Sequence, residues 1–174
     1  MTVAVRAVAY VAIVVGLIVV HELGHYTAGL IAGVPPRLMK VVLVRYPFHV
    51  ALRDRDAWRS PAEGAAYAGL LQRLIPRSEA LLLFASGGLI LQAIGATAFV
   101  AAFSALGDGG LAFFAATYSA GLVAAYLAVE LVGSFVPRMP AGDVRGMLSV
   151  SVAGGSAILV LLVAAHAGLV LWVL

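Results

Sequence analysis

A chain of 174 residues that is 63% hydrophobic and 11% charged, with a mean hydropathy of +1.07, is too apolar for a water-soluble globule. Such globules carry about a quarter of their residues as Asp, Glu, Lys or Arg. The net charge of +3 is small and, from where the basic residues fall, is expected to reflect membrane topology and anionic lipid, with no nucleic-acid partner. The absence of cysteine removes disulfides and thiolate ligands, leaving His, Asp and Glu as the strong metal ligands available.

The first apolar run, Val3 to Ile31, is long enough at about 1.5 Å per residue to cross a hydrocarbon core of about 30 Å. It ends before Pro35-Pro36 and is too long for a secretion signal, so it is expected as a retained helix. Gly29 and Gly33 form a small-xxx-small pair that would allow a neighbouring helix to pack closely. Inside this run stands His21-Glu22-Leu23-Gly24-His25. Ionisable side chains at membrane depth are costly and mark function. On a helix, residues four apart share a face, so His21 and His25 can aim ring nitrogens at one metal ion about 2 Å from each. Glu22 projects beside them, placed to hold a water on that metal without being a ligand. This is the HExxH arrangement of zinc hydrolases; a buried polar cluster without metal is the plainer alternative.

The pattern then becomes strand-like in Lys40-Val41-Val42-Leu43-Val44-Arg45 and Phe48-His49-Val50-Ala51-Leu52-Arg53, joined at Tyr46-Pro47. A hairpin at the membrane surface is expected, and its edge, Val41, Val42, Leu43 and Val44, is a candidate substrate-binding strand, because an extended peptide is held by main-chain hydrogen bonds. A plain surface linker is the alternative. Trp58 and Tyr46 suit an interfacial belt. Ser60-Pro61-Ala62-Glu63 has the form of a capping box with Pro at the first helical position, predicting a helix to Ile75 that lies along the interface.

Three further apolar segments follow at about 80–106, 111–135 and 147–174, making four spans. The tight turn Gly107-Asp108-Gly109-Gly110 makes the second and third antiparallel neighbours. The expected fold is an all-α membrane protein of one domain over residues 1–174. It has four transmembrane helices, with a short membrane-associated β-hairpin and an interfacial helix between the first two. Of the eleven Lys and Arg residues, eight lie between Arg37 and Arg77 and two more are Arg138 and Arg145, while Arg6 falls on the other side. By the positive-inside bias this predicts a multi-pass protein of the cell membrane with both termini outside and the basic loops cytoplasmic.

A third metal ligand is expected at the depth of His21 and His25, near the cytoplasmic end of the first span. Ser134-Phe135-Val136-Pro137-Arg138-Met139-Pro140-Ala141-Gly142-Asp143 breaks a helix at that level with two prolines and a glycine. Asp143 is the carboxylate this break would present, completing a two-His, one-carboxylate set for catalytic zinc. Glu130, an acid within the third apolar segment, is the rival; otherwise it is expected to pair with a polar neighbour or line a water path. His49 and His166 are expected to be structural or interfacial.

With HELGHY in the first core helix, a strand element just after it, and PRMPAGD at the end of a later helix, the chain resembles the site-2 protease (M50) family of intramembrane zinc metalloproteases, in its compact form without a PDZ domain. The resemblance implies zinc bound by His21, His25 and Asp143, with Glu22 as the catalytic acid/base. Ser134 stands where that family often has Asn, Val144 follows Asp143 in place of Gly, and Gly-Pro-x-x-Asn is echoed by Gly87-Gly88-Leu89-Ile90-Leu91 with Gln92 one place beyond. The expected function is hydrolysis of a peptide bond in a membrane-embedded or membrane-adjacent polypeptide, the zinc-bound water being activated by Glu22. A zinc transporter and a non-catalytic membrane zinc-binding relative are the alternatives.

Overall fold

The computed structural model describes residues 2–44, 48–133, 135 and 142–174. Thr2 starts the first helix, α1 (Val3–Ile31), by accepting the Val5 N–H on its hydroxyl oxygen at 3.4 Å. The helix ends at Ala32, after which Gly33 turns into the left-handed region at φ +91° and the Val34 N–H closes onto the Gly29 carbonyl at 2.9 Å. Gly33 is thus a helix terminator, and the expected Gly29/Gly33 packing face does not form: Gly29 faces the Met39 thioether and the Phe84 ring. The close helix approach lies further up α1, where Gly24 meets Gly87 and Gly88 of α3 (Ser78–Ala105) backbone to backbone.

Between these two helices lies a three-stranded antiparallel sheet in the order β1 (Met39–Val42), β2 (His49–Asp54), β3 (Ala57–Arg59). Met39 pairs Leu52 and Val42 pairs His49 in the first ladder; Leu52 pairs Arg59 and Asp54 pairs Ala57 in the second. The expected strand pair is therefore present, though β1 is shorter than expected, and its junction at Tyr46-Pro47 lies outside the described residues. The third strand is additional. It is made by a two-residue turn in which Arg55 adopts φ +55° and its carbonyl accepts from the Arg53 guanidinium at 3.1 Å. Ala57-Trp58-Arg59 carries no apolar alternation; Trp58 instead packs beneath the Lys40 ammonium at 4.3 Å and sits opposite Arg53.

The Ser60 capping box forms, with the Ala62 N–H on the Ser60 hydroxyl at 3.3 Å and the Ser60 N–H on Glu63 at 2.9 Å. It opens only a 3₁₀ turn, Pro61–Glu63, because Gly64 breaks the path at φ +55°; α2 (Ala65–Leu74) starts beyond it. Leu70 of α2, Ile75, Val50, Leu52, Met39, Val34 and Phe84 make one core that binds sheet and α2 to the feet of α1 and α3.

The turn into α4 (Gly109–Gly133) uses Gly107 at φ +73° and the Asp108 carboxylate, which accepts the Leu111 N–H at 3.0 Å. The expected single last span is two helices, α5 (Asp143–Val150) and α6 (Val152–Val173). Ser151 divides them: its backbone is extended and its hydroxyl caps α6 through the Gly154 N–H at 3.0 Å. Among the described residues, α1, α3, α4 and α6 are long and apolar enough to cross a membrane, which marks a multi-pass membrane protein. Their outward faces carry bare hydrophobic side chains, such as Val8 and Val11 on α1, Leu131 and Val132 on α4, and Leu161 and Leu171 on α6. A water-exposed surface does not sustain such patches.

Candidate metal centre

His21, Glu22 and His25 are 5%, 7% and 8% exposed, buried where α1 crosses α3. Gly87 and Gly88 allow that crossing, and the α3 backbone then supplies what the imidazoles need. His25 Nδ1 donates to the Phe84 carbonyl oxygen at 2.8 Å, and His21 Nδ1 faces Gln92 Oε1 at 3.1 Å. Tyr126 of α4 stacks on His21 with centroids 5.2 Å apart, and the two imidazoles meet edge to face at 5.0 Å.

In the neutral tautomer that carries its proton on Nδ1, each ring turns a bare Nε2 lone pair inward. Both lone pairs point at Asp143, the first residue of α5. His21 Nε2 lies 3.0 Å from Asp143 Oδ2, and His25 Nε2 lies 3.1 Å from Oδ1. The three ligand atoms fall within 4.8 Å of one another. Asp143 Oδ2 is at ion-pair distance from His21 and has no hydrogen bond of good geometry, and the three groups are spaced so that they could share a cation. Gly88 keeps that space clear: a Cβ there would stand 2.8 Å from His21 Nε2 and closer still to His25 Nε2. Two imidazole nitrogens, a carboxylate, an orphaned buried oxygen and a cradle that only glycine leaves open together fit a bound metal ion.

Glu22 is outside this ligand set, although its carboxylate lies in the field of His25, His21 and Asp143, with His49 of β2 also in reach. Tyr67 of α2 donates its hydroxyl to the Val50 carbonyl at 2.8 Å. Burial, and then the charges of Glu22 and Asp143, hold that phenol well above its ordinary range, so it stays protonated at all physiological pH. A lone tyrosine in an amphipathic helix gave no sequence signal for this placement.

Glu130 is also outside the ligand set. Its carboxylate rests against Gly142, where a Cβ would overlap Oε1, and it draws the backbone N–H groups of Gly142 and Arg145. Gly142 has no side chain to cap α5, so Glu130 supplies the cap from α4. The expectation of a polar pairing for this residue is met by the helix that carries Asp143. Ser134 and residues 136–141 of the proline-rich break lie outside the described residues.

Of the four candidate substrate-binding residues, Val41 and Val42 lie on β1, the edge strand beside α1; Leu43 and Val44 lie past its end, with Val44 fully exposed. His166 is buried, as expected of a structural histidine, with Nε2 at 3.0 Å from the Ser119 hydroxyl and Nδ1 at 2.8 Å from the Leu162 carbonyl. No protein family, no curated protein and no solved structure matches this chain.

Proposed function

We propose that this chain is an intramembrane zinc endopeptidase of the site-2 protease kind, cutting a membrane-embedded or membrane-adjacent polypeptide. The observation that carries the reading is the convergence of His21, His25 and Asp143 beside an unligated Glu22, in a helix apolar enough to cross a bilayer. Two imidazoles and one carboxylate, in a chain without thiolates, suit catalytic zinc with a position left open. When bound, zinc supplies a Lewis acid that polarises the scissile carbonyl and lowers the pKa of a water towards 7. Glu22 takes the proton from the attacking water and delivers it to the leaving amine. Phe84 and Gln92 hold the two rings in the orientation that this requires, and Glu130 holds the first turn of α5 so that Asp143 stays in register. A zinc carrier would need ligands strung along a path, whereas the described residues hold one cluster. The test compares membrane peptides in cells carrying the wild-type chain and Glu22→Gln; a substrate that accumulates only with the variant supports the reading, and identical peptide sets sink it.

The substrate lies along the outer edge of β1 in an extended form. Val42→Pro removes one amide N–H at the end of that strand and changes none of the candidate metal ligands. Cleavage is expected to fall about two- to tenfold, the scale of one net hydrogen bond, with zinc content unchanged. Full cleavage by this variant would return the strand to a connecting role.

Both termini face outside, and the sheet and α2 face the cytoplasm, in keeping with the positive-inside bias of the basic residues. Reporter fusions at Gly109 and Asp56 are expected to read outside and inside respectively. An outside reporter at Asp56 would reverse the orientation and the side from which substrate arrives.

A further inference from the structure

His166 is the one ionisable residue of α6, and an ionisable group at membrane depth calls for an explanation. Ser119, Gln92 and His166 are 0%, 0% and 4% exposed, and they join the last helix to the metal centre by an unbroken file of contacts. His21 Nδ1 meets Gln92 Oε1 at 3.1 Å, Gln92 Nε2 meets the Ser119 hydroxyl at 3.2 Å, and that hydroxyl meets His166 Nε2 at 3.0 Å. The file ends where His166 Nδ1 meets the Leu162 carbonyl at 2.8 Å.

The far end sets the direction of every bond. A carbonyl oxygen only accepts, so His166 Nδ1 carries a proton and, in the neutral ring, its Nε2 is bare. The bare nitrogen takes the Ser119 O–H, which leaves the serine oxygen only lone pairs to offer Gln92. The Ser119 carbonyl, 3.4 Å from the same amide nitrogen, is a second acceptor there. Gln92 must therefore turn its NH₂ to Ser119 and its oxygen to His21, which puts the His21 proton on Nδ1 and leaves Nε2 free. Buried as they are, these side chains depend on one another, each polar atom on the next, for their partners.

We propose that Ser119 and His166 are positioning residues for the metal centre, holding Gln92 in the one orientation that keeps His21 Nε2 free of its proton. This rests on the metal-site reading above. The Ser119–His166 pair is not a nucleophile with its base, because the serine oxygen is buried and already engaged by Gln92. Nor is the file a proton path, since an amide in its middle holds its protons. Its effect is to make the seating of α6 a condition of tight metal binding.

The test uses the full-length chain in detergent or nanodiscs, measuring zinc affinity and the imidazole nitrogen resonances of the metal-free form. Wild type is expected to show His21 protonated at Nδ1. His166→Leu and Ser119→Ala are expected to weaken zinc binding about three- to tenfold, the scale of one net hydrogen bond, and to shift His21 towards the Nε2–H tautomer. Gln92→Leu, which removes the direct partner, is expected to cost about 10–100-fold. His166→Gln keeps an acceptor for Ser119 and is expected to restore most of the affinity lost in His166→Leu. Wild-type affinity and an unchanged tautomer in both His166→Leu and Ser119→Ala would overturn the role of these two residues alone. A wild-type chain that binds no zinc would overturn the metal reading itself, and a wild-type His21 protonated at Nε2 would overturn the orientation argued for Gln92.

Discussion

Gly88→Ala is expected to abolish zinc binding while leaving the four long helices formed. Its Cβ would enter the space between the two Nε2 atoms, 2.8 Å from that of His21. Neither ring can swing aside, because both are fixed through Nδ1, to Phe84 and to Gln92. Nor can α3 retreat without opening the Gly24 contact beside it. Blocking two ligands at once should cost at least the roughly 100-fold in affinity that loss of a single outer partner can reach. Gly121→Ala is the control, since a Cβ there meets nothing within 4 Å. In the same metal-content series, Asp143→Ala is expected to lose zinc, and Glu130→Ala to weaken it to a lesser degree by loosening the first turn of α5. Zinc retained by Gly88→Ala would mean that the ion does not sit between the two imidazoles. Zinc lost from Glu130→Ala but kept by Asp143→Ala would exchange the ligand for its support.

Glu22→Gln is expected to keep its zinc and lose cleavage by about a hundredfold or more, the contribution of a general base. The substitution preserves shape and hydrogen bonding but removes the proton acceptor. Metal retention is expected from geometry, because the group that could hold an ion is made by His21, His25 and Asp143 without Glu22. The loss of rate follows from placement, because Glu22 is buried beside that set. Zinc content by elemental analysis and cleavage of a membrane peptide, measured on one preparation, separate the two effects. Loss of both would make Glu22 a ligand. Retention of both would remove it from the chemistry and favour a binding or transport role.

How much of this could be read without the fold differs from element to element. The four long helices were legible because length and apolarity are local properties that a bilayer reads directly. The strand pair was legible from its β-branched runs, whereas β3 was not, because Ala57-Trp58-Arg59 owes its place to a turn at Arg55 and to cations packed on an indole. The capping box at Ser60 and a helix ending near Ile75 were read correctly, but the start of that helix was not, since Gly64 leaves the helical path one residue after the box. The break at Ser151 was hidden inside an apolar run for the same reason: a single backbone conformation leaves no trace in hydropathy.

At the site the division is sharper. His21, Glu22 and His25 were determined by the sequence alone, because the helical repeat brings residues one and four apart to neighbouring positions whatever the helix packs against. Asp143 was legible as a candidate, because prolines and a glycine break a helix wherever they stand, but Glu130 remained its rival until the fold put one carboxylate on the imidazoles and the other on the N–H groups of α5. Gly88, Tyr67 and the Gln92–Ser119–His166 file were decided only by tertiary structure. Gln92 lies 71 residues from His21 and 27 from Ser119, which lies 47 from His166. No local period spans such distances; these side chains meet because α1 and α3 approach through glycine and α4 and α6 close around them, leaving each buried polar atom only the others as partners.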